Sequence, residues 1–169
     1  MNSKRLRIYV TAALMAAMTC VATFIVKIPS PTGGYIHPGD AFVLLSGIIL
    51  GPIYGSLAAG IGSLLADLLA GYLQYAAATL IIKALTALVA ALIYRKGKIK
   101  TVILAGIIGG LVVTSGYFIY ENFLYGFGGA IKSVPLNGVQ NAMGIILSVL
   151  LFPILRRVPQ IKELMDNNL

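Results

Sequence analysis

Long stretches without a charged residue limit most strongly how this chain can fold. The longest one, at 41–66, runs for 26 residues. Hydrophobic residues make up 59% of the chain and charged residues 11%, against about 25% charged residues in a typical soluble domain. So few charges cannot cover a water-exposed surface, and about 20 apolar helical residues span the hydrocarbon core of a bilayer. The sequence therefore predicts an integral membrane protein.

Breaks between the apolar stretches divide the chain into six predicted helices. Gly51-Pro52 interrupts the longest stretch, because proline cannot continue helical hydrogen bonding and glycine commonly ends a helix. Segments 28–40, 71–74 and 121–136 are predicted loops, and 156–169 is expected at the membrane interface. We expect one all-α domain over 1–169, a bundle of six transmembrane helices at about 8–26, 40–51, 53–69, 75–94, 101–120 and 137–155.

Basic residues are concentrated at three helix ends. The net charge is +8, and ten of the 13 Lys and Arg residues lie in clusters at 4–7, 95–100 and 156–162. Cytoplasmic loops of membrane proteins carry such an excess. Six crossings place all three clusters and both termini in the cytoplasm, whereas five would separate them. This placement favours a multi-pass protein of the cell membrane, held in the lipid bilayer, and argues against nucleic acid as a partner.

The first apolar segment has two alternative interpretations. A cleaved signal peptide or a lipoprotein site at Cys20 would also place an apolar run after basic residues. Further apolar segments follow, so a membrane span is favoured. Because Cys20 is the only cysteine, an internal disulfide is excluded.

Ionisable side chains within the predicted helices indicate a binding site. A charge at membrane depth costs roughly 2.5–3.5 kcal/mol or more and usually serves a function. Lys83, Asp67 and Glu121 are predicted at the outer level, although a structural Lys83–Asp67 ion pair is an alternative. Aromatic side chains at this level can also form an interfacial belt. Together with nearby amides they predict a pocket for a small polar, aromatic molecule. The candidate substrate-binding residues are Tyr35, His37, Asp67, Tyr72, Tyr75, Lys83, Tyr117, Glu121, Asn137, Gln140 and Asn141.

Motifs for catalysis are missing from the sequence. Gly97-Lys98 is followed by Ile99 rather than Ser or Thr, so it does not match a phosphate-binding loop. His37 and Asp40 are too few ligands for a metal site, since the chain has one histidine and one cysteine. We predict a protein without enzyme activity, without its own ATPase site and without a metal or cofactor.

Small residues recur at four-residue spacing in the first helix. The pairs are Ala12 with Ala16 and Ala13 with Ala17. Such stripes let another helix approach closely. The partner is either a helix of the same bundle or a separate membrane subunit.

The chain resembles the substrate-binding S component of an energy-coupling factor (ECF) vitamin transporter. The resemblance covers nearly the whole chain and rests on the segments TAALMAAMTCVATFIVKIP, PTGGYIHPGDAFVLLSGIILGPIYGSLAAGIGSLLADLLAGY, QYAAATLIIKALTALVAALIYRK and GYFIYENFLYG. It implies six helices, an outward site closed by the loop at 28–40, and delivery by toppling in a bacterial membrane. It also implies a transmembrane coupling subunit (EcfT-like), docked on the first-helix alanines, and two cytoplasmic ATPases.

Within that family the sequence is most similar to members assigned to hydroxymethylpyrimidine or pyridoxine, followed by riboflavin-type members. The resemblance then implies that Glu121 pairs with a protonated ring nitrogen and that Lys83 or Asn141 binds hydroxyls. A stand-alone facilitator of small-solute flux is the alternative to a subunit of an importer.

Overall fold

A computed structural model describes residues 3–29, 35–95 and 97–167. It is a bundle of α-helices with one short hairpin, which confirms the predicted all-α class. The elements, in chain order, are α1 (Ser3–Ile25), β1 (Ile28–Pro29), β2 (Tyr35–Ile36), α2 (Asp40–Ala70), α3 (Leu73–Ile93), α4 (Ile99–Arg156) and α5 (Pro159–Asn167). The helices α1, α2, α3 and α4 are long and apolar enough to cross a membrane. The predicted loop at 28–40 lies partly outside the described residues, at 30–34.

Helix α2 is broken at Gly51, where the sequence predicts a break. The backbone of Gly51 has φ 76° and ψ −173°, a conformation that only glycine adopts readily. Pro52 follows, in the first turn of the second half, where its missing N–H is not needed. A side chain at Gly55 would lie 2.4 Å from the carbonyl oxygen of Ser46, so the two halves pack closely against each other.

Helix α4 shows where the sequence prediction is wrong. The predicted loop at 121–136 is helical on both sides of one break at Gly126, which has φ 73° and ψ 174°. Pro135 lies within the helix. Glycine-rich sequence signals a loop in water, but backbone groups facing lipid must be paired within the chain, and helix formation pairs them. The two breaks divide the four apolar helices into six segments, although α2 and α4 count as continuous helices and the total is five.

Helix α2 lies at the centre of the bundle and contacts α1, α3, α4 and α5. Its contact with α1 is close, since a side chain at Gly62 would lie 2.4 Å from the carbonyl oxygen of Ala16. Helix α5, in the segment predicted at the interface, additionally buries Leu164 and Met165 in the core. Glu163 of α5 forms an ion pair with Arg7 of α1.

Candidate functional site

A cavity lies at the end of the bundle where β2, the end of α2 and the start of α3 meet α4. About 470 Å³ is free of protein atoms, of which about 40 Å³ is available to the centre of a water-sized sphere. That smaller volume holds roughly three water molecules. The lining residues are Tyr35, Ile36, His37, Asp67, Tyr72, Tyr75, Thr79, Tyr117, Glu121, Ser133, Leu136, Asn137 and Gln140.

Two buried carboxylates face this cavity from different helices. The hydroxyl of Tyr35 donates to Asp67 Oδ1 at 2.8 Å, and the hydroxyl of Tyr75 donates to Glu121 Oε1 at 3.1 Å. The second oxygen of each, Asp67 Oδ2 and Glu121 Oε2, is buried and has no hydrogen-bond partner within 3.5 Å among the described residues, although the hydroxyls of Thr79 and Ser133 lie close to Asp67 and Glu121. A buried charged acceptor without a donor is costly, so both oxygens are suited to bind donors from a ligand.

Two pairs of tyrosine rings line the cavity. The Tyr35 and Tyr72 ring centroids are 4.7 Å apart, and those of Tyr75 and Tyr117 are 6.3 Å apart. The Tyr117 hydroxyl is held by a 2.9 Å hydrogen bond with Thr79 Oγ1. Aromatic rings at these separations offer faces and edges on which a planar ring can pack.

Lys83 lies behind the cavity and pairs with Asp40 instead of Asp67. Its Nζ donates to Asp40 Oδ1 at 2.5 Å, and Gln140 Nε2 donates to Asp40 Oδ2 at 2.9 Å. The predicted Lys83–Asp67 pair is therefore wrong. Lys83 is fully buried and does not line the cavity, although its Nζ lies 5.3 Å from the Tyr117 ring centroid.

His37 connects the hairpin to this ion pair. Its backbone N–H donates to Gln140 Oε1 at 3.2 Å, and its Nδ1 accepts the Gly39 N–H at 3.1 Å. Burial lowers the pKa of His37 to about 4; nearby Asp40 opposes this shift and Lys83 adds to it. The imidazole is therefore neutral at pH 7. Burial, reinforced by Asp67, raises the pKa of the Tyr35 hydroxyl above its ordinary value, so Tyr35 stays a donor.

Comparison with known proteins identifies the family. A sequence profile described as "ECF-type riboflavin transporter, S component" matches residues 4–157. The chain belongs to this family. It is thus a membrane-embedded S component of a vitamin transporter and not an enzyme.

Two curated proteins are similar to this chain over most of its length. An uncharacterised protein of Pyrococcus woesei is 36% identical over 130 residues, covering 75% of this chain and 86% of the relative. A protein of Lactococcus lactis subsp. cremoris (strain MG1363), named thiamine precursor transporter HmpT, is 28% identical over 159 residues, covering 93% and 92%.

Two solved S components have the same fold. The S component of a bacterial ECF transporter superimposes with a TM-score of 0.73 at 26% identity, covering 90% of this chain and 97% of that chain. An S component for biotin superimposes with a TM-score of 0.67 at 21% identity, covering 94% of this chain and 93% of that chain. This likeness concerns the fold alone.

Nine of the eleven candidate site residues of this S component line the cavity. Lys83 and Asn141 do not. Asn141 Nδ2 donates to the carbonyl oxygen of Gly110 at 2.8 Å and to Thr114 Oγ1 at 2.9 Å, so it joins the two halves of α4. The polar groups of Lys83 and Asn141 are thus bonded to other residues of the protein. The geometry does not support the expected binding of ligand hydroxyls by either side chain.

Four lining residues were absent from the sequence prediction: Ile36, Thr79, Ser133 and Leu136. Thr79 was detectable, because Tyr75, Thr79 and Lys83 are spaced by four residues and share one helical face. Ser133 and Leu136 fell in the segment wrongly predicted as a loop, for which no facing direction follows from spacing.

The four alanines of the first helix divide between two environments in the S component. Ala12 and Ala16 are half-buried and pack against the core, with Ala16 next to Gly62 of α2. Ala13 and Ala17 are exposed. The predicted stripe therefore serves packing within the bundle on one side and remains open on the other.

Proposed function

We propose that this S component captures a small, neutral or cationic heteroaromatic vitamin or vitamin precursor from outside the cell, with hydroxymethylpyrimidine or pyridoxine as the best candidates. The observation that carries the proposal is the pair of unpartnered carboxylate oxygens, Asp67 Oδ2 and Glu121 Oε2, in one tyrosine-walled cavity.

The charge of the cavity favours a donor ligand over an anion. No Lys or Arg is among its lining residues in the described chain. Lys83, the buried cation nearest to it, is neutralised by Asp40 at 2.5 Å. An anionic ligand would approach two carboxylates without a counter-charge, which low dielectric makes unfavourable. An amino group or a protonated ring nitrogen would instead satisfy Asp67 or Glu121.

The chemistry of the candidate rings and the similarity to a named transporter narrow the choice of substrate further. Hydroxymethylpyrimidine carries an exocyclic amine and a protonatable ring nitrogen, which match the two carboxylate acceptors Asp67 and Glu121 that line the cavity. The similarity to the L. lactis protein named a thiamine precursor transporter supports this choice. The name of the family profile favours riboflavin as the second candidate.

Binding of such a ring requires the cavity to widen, because only about 40 Å³ is now available to the centre of a water-sized sphere, which suits roughly three waters. Tyr35 belongs to β2, and among the described residues β2 pairs with β1 at Ile28–Ile36 and Pro29–Tyr35. We propose that movement of this hairpin admits and encloses the substrate.

We further propose that the six helical segments each cross the membrane, with both termini in the cytoplasm. Contacts between the basic segments support this arrangement. Arg7 pairs with Glu163, and Arg156 Nη1 donates to the carbonyl oxygen of Gly97 at 3.4 Å. The N-terminus, the α3–α4 connection and the C-terminal segment thus meet at one end, opposite the cavity, and carry the positive charge typical of a cytoplasmic face.

Energy for uptake would come from partners that the family implies: an EcfT-like coupling subunit and two cytoplasmic ATPases. We propose that exposed Ala13 and Ala17, rather than Ala12 and Ala16, contact the coupling subunit. Loaded with substrate, the subunit would topple and release it inward when the ATPases act.

Calorimetric titration of the purified full chain with hydroxymethylpyrimidine, pyridoxine and riboflavin tests the substrate. We expect tight binding of one of the first two. Loss of one charged hydrogen bond in Asp67→Asn or Glu121→Gln should weaken it by about 10- to 100-fold. Glu163→Gln, at the opposite end, is the matched control and should bind normally.

Other outcomes of this titration would contradict the proposal. Riboflavin as the only ligand would replace the proposed substrate class, and binding unchanged in both Asp67→Asn and Glu121→Gln would exclude the cavity. Flux of substrate into liposomes that hold the chain without ATPases would favour the stand-alone facilitator.

A further inference from the structure

A second cavity, an open groove with about 1000 Å³ free of protein atoms, lies at the basic end of the bundle, opposite the substrate cavity. Its floor is apolar and formed by Val149, Phe152 and Pro153 of α4. Its rim carries three cations, Arg156, Arg157 and Lys162, from the end of α4 and from α5. The groove thus combines an apolar slot and a concentrated positive charge.

The Arg156 guanidinium packs against the backbone of Gly97. Gly97 leaves the space it occupies, because a Cβ at that position would lie 2.1 Å from Arg156 Nη1. Arg156 Nη1 donates to the Gly97 carbonyl oxygen at 3.4 Å. Arg156 Nε is buried and has no hydrogen-bond partner among the described residues. The guanidinium is therefore held beside Gly97 at the groove.

Positive charge exceeds negative charge at the rim. Within the described chain the groove lining includes no Asp or Glu, although Asp166 lies one helical turn after Lys162 on α5. The nearby Glu163, on the same helix as Lys162, is engaged by Arg7 of α1. Three cations that line one groove repel each other, and a bound anion would reduce that repulsion.

We propose that this groove binds an anionic phospholipid, with the phosphate at Arg156, Arg157 and Lys162 and an acyl chain along the apolar floor. Ile154 and Val158, which follow the groove residues Pro153 and Arg157 in sequence, have exposed apolar side chains suited to contact lipid. A soluble anion would match the rim but not the floor. Basic pockets at the cytoplasmic ends of transmembrane helices bind anionic headgroups by this combination of contacts.

Spin-labelled lipids test the proposal on the full chain in phosphatidylcholine nanodiscs. The immobilised fraction of labelled phosphatidylglycerol is compared with that of labelled phosphatidylcholine. We expect the wild type to prefer phosphatidylglycerol, and Arg157→Gln/Lys162→Gln to lower that preference by about fivefold or more, given roughly fivefold for each cation near the surface. Both residues are exposed, so the variant should keep the helical content and size-exclusion profile of the wild type.

The matched control is Arg95→Gln, an exposed arginine at the same end that does not line the groove. It should keep the full preference, and glycerol phosphate, which lacks acyl chains, should not displace the label. Equal preference in Arg157→Gln/Lys162→Gln and wild type would overturn the proposal, as would full displacement by glycerol phosphate. A third result would also overturn it. If the wild type shows no lipid preference and the Arg157→Gln/Lys162→Gln variant no longer co-purifies with the coupling subunit, the groove binds protein.

Discussion

Lys83 Nζ lies 2.5 Å from Asp40 Oδ1, and this pair joins the first residue of α2 to the middle of α3 beneath the substrate cavity. Gln140 donates to the other Asp40 oxygen and accepts the His37 N–H, so α4 and the segment before α2 join the same network. The lysine that sequence analysis assigned to the ligand thus fixes the geometry of the cavity wall from behind.

Removal of one member of this pair should destabilise the protein strongly. Lys83→Met leaves Asp40 buried without its cation, which costs about 3–5 kcal/mol for a buried pair. Unfolding of the purified protein in mixed detergent micelles measures the change. Lys100→Met, at an exposed position of α4, should change stability little. Equal stability of the two variants would mean that the pair contributes nothing.

Acidification should reduce stability through His37. Its folded-state pKa of about 4 lies below the ordinary value of 6.5, so the folded protein binds this proton less readily than the unfolded chain. The stabilisation is therefore complete above pH 6.5 and is lost as the pH falls towards 4. The loss amounts to roughly 3 kcal/mol at most. The free energy of unfolding, measured across that pH range, should depend less steeply on pH in His37→Asn than in the wild type. Equal slopes in the two proteins would contradict the role of His37.

Gly51 should resist substitution more than a glycine in open helical surroundings. Gly51→Ala forces an L side chain into φ 76° and ψ −173°, a region essentially restricted to glycine, at a cost of about 1–3 kcal/mol. Gly128→Ala is the control, since nothing lies within 4 Å of an added Cβ there and its φ is not positive. It should be neutral or slightly stabilising in the same unfolding assay. A neutral Gly51→Ala would show that the break needs no left-handed residue.

Bulk on the exposed alanines should separate docking from substrate binding. Ala13→Leu/Ala17→Leu widens the open side of α1 without touching the cavity, and we expect normal vitamin affinity but loss of co-purification with the coupling subunit. Ala77→Leu, at an exposed alanine of α3, should leave both intact. Retained co-purification of the α1 variant would place the docking surface elsewhere.

Much of the fold follows from local sequence rules. Membrane spans depend on length and polarity, and the break at Gly51-Pro52 depends on two residues that helices avoid, so both are predictable. The segment at 121–136 is not, because Gly128, Gly129 and Pro135 signal a loop in water but are accepted in a helix in lipid.

Side-chain pairing was harder to predict than the identity of the site residues. A charged side chain at membrane depth is energetically costly, and for this reason the sequence indicates Lys83, Asp67 and Glu121 as functional candidates. Which carboxylate meets Lys83 depends on how α2 and α3 rotate against each other, and Gly47, whose Cβ would lie 2.0 Å from the Ala87 carbonyl oxygen, sets that contact. Asn141 likewise faces Gly110 because the Gly126 break folds the halves of α4 together. Neither relation is encoded in spacing along one helix.

The packing of α1 along α2 has a thermodynamic consequence for assembly. Most of the α1 surface, including Leu14 and Val21, is exposed in the isolated chain and would be covered by acyl chains in a bilayer. A neighbouring helix that docks there replaces lipid only, and no internal contact has to break first. Association and release of a partner helix at this surface can therefore be repeated with the interior of the bundle intact.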